Sequence, residues 1–316
     1  MNGGRTTLAA LTALLLPAAL AGAGCGGDFD PYERLTSLRI LAIQSEPVAP
    51  APGETTTLSA LVYVPPPADG APAPTVTMKW SWCPFVGPAN AGYPCLVTEE
   101  QLRAAGAGDV PPFDLMTNFT AQFKHTLDPA LLRLICSDMA GLPQKPDCSD
   151  GFPVTVQLTV STGDDQETAI RPLHLLLEPA KEPNTNPTIS GLTTREADGD
   201  EHALHGALLR RMADNNVRAI VDESAAEKYT DQQGNPLRER LYISWFVETG
   251  TMKHPRTGFN DATDPPTPFP DLLPNTWRPA GTDVYKRSTA QLFAVLRDSR
   301  DGVMWTNATA TLESKP

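Results

Sequence analysis

Apolar side chains recur at every second position in several stretches of this chain. Leu58, Ala60, Val62 and Val64 share one face, opposite Thr57, Ser59, Leu61 and Tyr63. Val76, Met78, Trp80 and Trp82 alternate with Thr77, Lys79 and Ser81, and Val154, Val156, Leu158 and Val160 alternate with Thr155, Gln157 and Thr159. A period of two predicts strands with one face in a core and the other in water. Leu38 to Gln44 and Ile170 to Leu177 are further strand candidates, with Pro172 placing the latter at an edge or a bulge. The second half repeats the pattern: Leu241, Ile243, Trp245 and Val247 alternate with Tyr242, Ser244, Phe246 and Glu248. Gln291–Arg297 and Val303–Leu312 read as a hairpin joined through Asp298-Ser299-Arg300-Asp301-Gly302, since Asp-Gly is a strong turn signal.

The polar, proline-rich stretch Pro179 to Pro187 divides the two halves. Two sandwiches in tandem follow, an all-β fold, with Ser81-Trp82 and Ser244-Trp245 in matching places. The first carries an insertion, residues 84–150, that breaks the period of two. Thr98-Glu99-Glu100-Gln101 has capping-box spacing, and Asp128-Pro129 sets an N-cap before a first-turn proline. Leu131, Ile135 and Met139 then share a helical face, with Leu132 and Cys136 beside it.

The N-terminus adds a compartment. Arg5, an apolar run from Leu8 to Leu20 and small residues leading to Cys25 make a secretory signal, residues 1–24. The run is shorter than the roughly 20 residues a spanning helix needs. Leu20-Ala21-Gly22-Ala23-Gly24-Cys25 looks like a lipobox, with Gly22 where a larger apolar residue is usual, and predicts a lipidated Cys25 on a tether through residue 34. Ala21-Gly22-Ala23 also reads as an ordinary cleavage site that would release the protein. Setting Cys25 aside leaves Cys83, Cys95, Cys136 and Cys148, an even number that suggests two disulfides in an oxidising compartment. Three connectivities are possible. The turn-rich segments between the cysteines favour the local pairs Cys83–Cys95 and Cys136–Cys148 over a crossed clamp of Cys83 to Cys148. Without the first 24 residues the chain has 24 Lys and Arg against 37 Asp and Glu, a net charge of −13. Such a surface repels nucleic acid, which is excluded as a partner.

Candidate chemistry is sparse. Asp198, Asp200, Glu201, His202 and His205 are dense enough for a cation, but their spacing fits no metal motif and reads as a solvated turn. Asp261, Asp264 and Asp271 lie in a proline-rich loop, and His125 and His174 are isolated. No metal or cofactor is expected. Trp80, Trp82 and Trp245 point to their strands' apolar faces and read as core. Trp277 and Trp305 are less decided, and Trp277 is the place to look for a sugar platform. No nucleophile or phosphate-cradling motif is present.

Leu38-Arg39-Ile40-Leu41-Ala42-Ile43, Glu46-Pro47 and Pro52-Gly53-Glu54-Thr55 resemble the opening of immunoglobulin-like or PKD-like domains of secreted bacterial proteins. Ile243-Ser244-Trp245-Phe246 and Ala294-Val295-Leu296-Arg297-Asp298 are similar. The resemblance implies an envelope lipoprotein with Ig-like modules. The strand pattern and the polar linker place these domains at 35–180 and 188–316, with the linker at 181–187, and the lipid at Cys25 is expected to sit in the outer membrane. It carries no catalytic residues over. The expected function is a non-catalytic binding or scaffold module whose partners are the membrane, through its lipid, and an envelope protein or polysaccharide. A carbohydrate-binding module or an envelope-polymer enzyme is the alternative.

Overall fold

The computed structural model describes residues 31–67, 71–137, 146–163, 165–195, 199–231, 233–259, 273–281 and 287–314. Residues 1–24, Cys25, Asp198, Met139 and the acids at 261, 264 and 271 lie outside these. Tyr32–Pro316 form one compact unit.

The first sandwich places β1 (Arg39–Glu46), β2 (Thr55–Tyr63) and β5 (Thr120–Lys124) in one sheet, in the order β1-β2-β5. The facing sheet runs β4-β3-β6-β7, from β3 (Val76–Cys83), β4 (Asp114–Met116), β6 (Phe152–Thr162) and β7 (Asp165–Leu175). This three-on-four order is that of an immunoglobulin sandwich. The segment 84–150 is therefore more than an insertion, because it supplies a strand to each sheet. β4 and β5 are short, and period-two reading passed over them. Phe123 of β5 is fully buried and stands edge-on to Trp82 at 5.1 Å, as does Phe113 at the same distance. The helices α1 (Glu99–Ala104) and α2 (Pro129–Cys136) begin at the expected caps. Thr98 and Gln101 close a reciprocal capping box, and Asp128 accepts the Ala130 N–H. Each helix buries one leucine in the sandwich core, Leu102 and Leu132, so the segment shares that core and builds none of its own.

The second sandwich has more strands. Its first sheet runs β10-β19-β18-β14-β16, from β10 (Leu208–Leu209), β14 (Leu241–Val247), β16 (Arg256–Phe259), β18 (Thr289–Arg297) and β19 (Val303–Leu312). The other runs β15-β17-β11-β8-β9, from β8 (Gly191–Arg195), β9 (Glu201–Ala203), β11 (Asn215–Ile220), β15 (Thr251–Met252) and β17 (Pro274–Arg278). β10 pairs in parallel with β19, and β12 (Lys228–Thr230) with β13 (Pro236–Arg238) form a separate small hairpin. Trp82 and Trp245 occupy equivalent positions, each on a strand paired with the penultimate strand of its sandwich.

Two sheet faces expected in water are buried instead. Leu35, Leu41, Ala42 and Tyr63 of the first sandwich pack against Phe246, Phe293, Val295 and Val303 of the second. A bulge in β1 between Ile40 and Ala42 makes this possible. It turns Leu41 and Ala42 together toward the second sandwich, while Ile40 and Ile43 face the first core. The odd-numbered residues of β2 and the even-numbered residues of β14 are apolar at Leu61, Tyr63 and Phe246 for this reason. Full burial of a large apolar side chain stabilises by about 1.5–3 kcal/mol.

Polar side chains stitch the same junction. Arg297 donates to Leu41 O at 2.9 Å, and Arg171 donates to the carbonyls of Ile43 and Asp301. Asn186 donates to Ser45 O at 2.9 Å and accepts the Val303 N–H at 2.8 Å. The linker thus acts as a strut. At the end of the expected tether, Glu33 and Leu35 bracket Val247 with two backbone hydrogen bonds of 2.8 Å. Open β-strand ends attract such pairing, and this one ties the leading segment to the second sandwich.

Candidate functional site

The β18–β19 turn, Asp298–Gly302, positions the centre of the site. Asp298 accepts the N–H groups of Arg300 and Gly302 at 2.8 and 2.7 Å, and Asp301 takes φ +75°. A side chain at Gly302 would meet Asp298 Oδ2 at 1.9 Å, so only glycine closes the turn. The closed turn projects Arg300 and Asp301 toward the first sandwich and the linker.

There they line an open cleft of about 1150 Å³. Asp150 and His174 of the first sandwich, Glu182 of the linker, and Tyr229, Arg300 and Asp301 of the second sandwich line it. His174 Nδ1 lies 3.2 Å from Asp301 Oδ2. That hydrogen bond holds the imidazole above its ordinary pKa, and Asp147 and Asp150 add to the effect. The same contact holds the Asp301 carboxyl below its usual range. Arg300 stacks over the Tyr229 ring at 4.6 Å and donates to Glu182 O at 3.1 Å. Its guanidinium also lies 3.4 Å from Glu239 and 3.8 Å from Glu227. Glu239 is fully buried beneath it, accepting the Glu227 N–H at 3.0 Å. Burial, reinforced by the charge of Asp298, pushes its pKa up to about 7.

The residues singled out from sequence fall elsewhere. Glu201 accepts the Thr193 hydroxyl and lies 3.9 Å from both Arg195 and Arg218, so it serves cross-strand contacts. No group of three possible metal ligands occurs among the described residues. His125 is buried, its Nε2 3.0 Å from Leu176 O, and burial lowers its pKa. Trp277 is fully buried and donates to Thr249 O at 2.9 Å, which removes it as a sugar platform. Trp80, Trp82 and Trp245 are buried too, each indole N–H meeting an oxygen at 2.9–3.0 Å. Trp305 is half-buried against the junction. The disulfides are Cys83–Cys95 and Cys136–Cys148, and Cys148 sits at the cleft edge. Of the sequence candidates, only His174 reaches the cleft with titratable partners. Its hydrogen-bond partner Asp301 lies in the other sandwich, far away along the chain, and no local motif announces the pair.

No protein-family model matches this sequence, and no curated protein matches it. Among solved structures it is similar to three N-terminal domains of the bacteriophage RB49 outer capsid protein Hoc, at 12% identity and a TM-score of 0.19. That match covers 87% of this chain and 59% of the Hoc chain. A chimeric titin Z1Z2 tandem matches at 11% identity over 88% of this chain and 100% of its own, with a TM-score of 0.24. The Yersinia pseudotuberculosis adhesin InvE matches at 10% identity over 85% of this chain and 58% of its own, with a TM-score of 0.20. The fold is given by the strand order itself. Among the described residues, no helix is long and apolar enough to cross a membrane.

Proposed function

We propose that the protein is a lipid-anchored component of the bacterial cell envelope, held in the outer membrane through Cys25, and that it is a non-catalytic binding or scaffold module. The observation that carries this reading is the cleft between two sandwiches whose relative position is locked by a shared apolar cluster and a docked linker. Walls contributed by two domains make a cleft a natural place for a ligand. Its charged side chains are engaged with one another: His174 with Asp301, and Arg300 with Glu227, Glu239 and Tyr229. Those contacts shape a surface and leave the near-neutral Glu239 shielded from anything in the cleft. The partner is an envelope protein or a polysaccharide.

Two experiments test the halves of this reading. Detergent phase partition of the wild type should place it in the membrane phase and Cys25→Ser in the aqueous phase, and a soluble wild type overturns the anchor. A photo-crosslinking residue at Gln233, on the cleft rim, should give a discrete adduct in intact cells, with Lys79 on an outer face giving none. Equal labelling at both positions, or turnover of an envelope polymer by the purified protein, overturns the binding role.

A further inference from the structure

A second pocket, of about 310 Å³, adjoins the cleft across Pro172 and Asp301. Two arginines enter it from opposite sandwiches: Arg171 of β7 and Arg297 at the end of β18. Arg171 is 8% exposed, and its Nε is buried with no hydrogen-bond partner in the protein. Arg297 uses one nitrogen on the Ser244 hydroxyl at 3.2 Å and one on Leu41 O. A guanidinium has five N–H donors, so both retain donors after these neutral contacts. Among the described residues, neither forms an ion pair with a carboxylate. Of the acids at the pocket, Asp301 is engaged by His174, and Asp298 has one oxygen on backbone N–H groups and the other without a partner. Arg256 adds a third guanidinium, stacked over the lining Tyr242 ring at 4.9 Å, and its charge bears on Arg297.

Three guanidiniums gather here beside the carboxyls of Asp298 and Asp301, in a chain of net charge −12. Burial depresses the pKa of both Arg171 and Arg297, the mark of cations removed from water without full compensation. We infer that this pocket binds an oxyanion, a carboxylate or phosphate group carried by a small solute, held in the forks of Arg171 and Arg297. Guanidinium geometry matches both groups with two parallel hydrogen bonds. The exposed Ile170 side chain and the Tyr242 ring provide an apolar wall for the body of the ligand. The volume is at the lower end of the range for small-molecule sites, about 300–1000 Å³.

The inference rests on the binding-module reading and names the chemistry at its junction. The full-length protein is titrated calorimetrically with inorganic phosphate and, separately, with succinate, against sodium chloride at matched ionic strength. Saturable binding of either anion is expected, and which one binds distinguishes phosphate from carboxylate ligands. Ile170→Glu places a negative charge at the mouth without touching either arginine's contacts, and should weaken binding at least tenfold with an unchanged melting temperature. Arg256→Gln should weaken it several-fold. No heat beyond that of chloride, or wild-type affinity in Ile170→Glu, overturns the inference. If both anions fail while the Gln233 adduct forms, this inference falls and the binding-module reading stands.

Discussion

The two sandwiches share the order of their central strands and an equivalently placed tryptophan, yet they hold their loops by different means. The first strings long turn-rich connections between β3 and β6 and closes them with two disulfides, each bridging a sequence separation of 12. The second has no cysteine after Cys148 and closes its edges with hydrogen bonds around Asp298, Arg211 and Asn275. The difference follows apolar content. Where a segment of long connections reaches the core mainly through scattered side chains such as Leu102, Phe123 and Leu132, a covalent link limits its unfolded freedom. Where strands such as β14 are apolar on both faces, packing suffices.

The sharpest way to break this comparison is to remove the equivalent tryptophans. Trp245→Ala and Trp82→Ala should each cost about 3–5 kcal/mol, as large-to-small core changes do. Because Phe246 beside Trp245 packs on the first sandwich, scanning calorimetry should show one transition moving as a unit in either variant. Two separated transitions, with one sandwich unaffected, would mean that the junction does not couple them.

Opening a disulfide should cost less. Cys83→Ala with Cys95→Ala is expected to lose about 3 kcal/mol, the chain-entropy value for a loop of this size. The effect should be local: hydrogen exchange should accelerate first between residues 84 and 97, with β18 and β19 keeping their protection. Uniform acceleration across both sandwiches would contradict the division of labour.

Much of this plan was legible in the sequence, and the illegible parts have physical causes. The long strands announced themselves by period two, the helices by Thr98 and Asp128, and the final hairpin by its Asp-Gly turn. β4 and β5 did not, because three and five residues are too few to establish a period and their partners are distant. The buried outer faces did not either, because Leu61, Tyr63 and Phe246 lie on different strands of two sandwiches and form one patch only when these dock. The cleft had no sequence signature, since His174, Glu239 and Arg300 meet only after both sandwiches dock.

A smaller effect separates the sandwiches by pH. Glu239 lies in the second, and its carboxyl is raised from 4.5 to about 7. An acid with a raised folded pKa favours the folded state fully only while protonated, so its contribution declines as pH rises from 4.5 through 7. Glu239→Gln removes that dependence. At about 1.4 kcal/mol per pKa unit, with the attraction of Arg300 already contained in the value of about 7, the variant should gain about 2 kcal/mol relative to wild type between pH 5 and pH 8. Urea midpoints at the two pH values measure it. An unchanged difference between the proteins would show that Glu239 carries no such load.

The smallest effect belongs to the contact that joins the sandwiches across the cleft. His174 is held above 6.5 by Asp301, so its contribution is complete below 6.5 and is lost as pH rises through the higher folded value. Asp301 is held below 3.8, so its contribution is complete above 3.8 and is lost as pH falls through the lower folded value. The pair is therefore intact between 3.8 and 6.5 and weakens on either side. With the Asp301 side chain 42% exposed, solvent screens the pair, and Asp301→Asn should cost under about 1 kcal/mol at pH 6. Stability alone will not resolve so small a term from that of Glu239, which also declines with rising pH. The imidazole proton resonances of His174 will. They should titrate above 6.5 in the wild type and move down in Asp301→Asn, where burial, which lowers a histidine, meets less opposition. A wild-type imidazole titrating at or below 6.5 would remove His174 as the charged link between the two sandwiches and leave the apolar cluster and the arginines to hold them together.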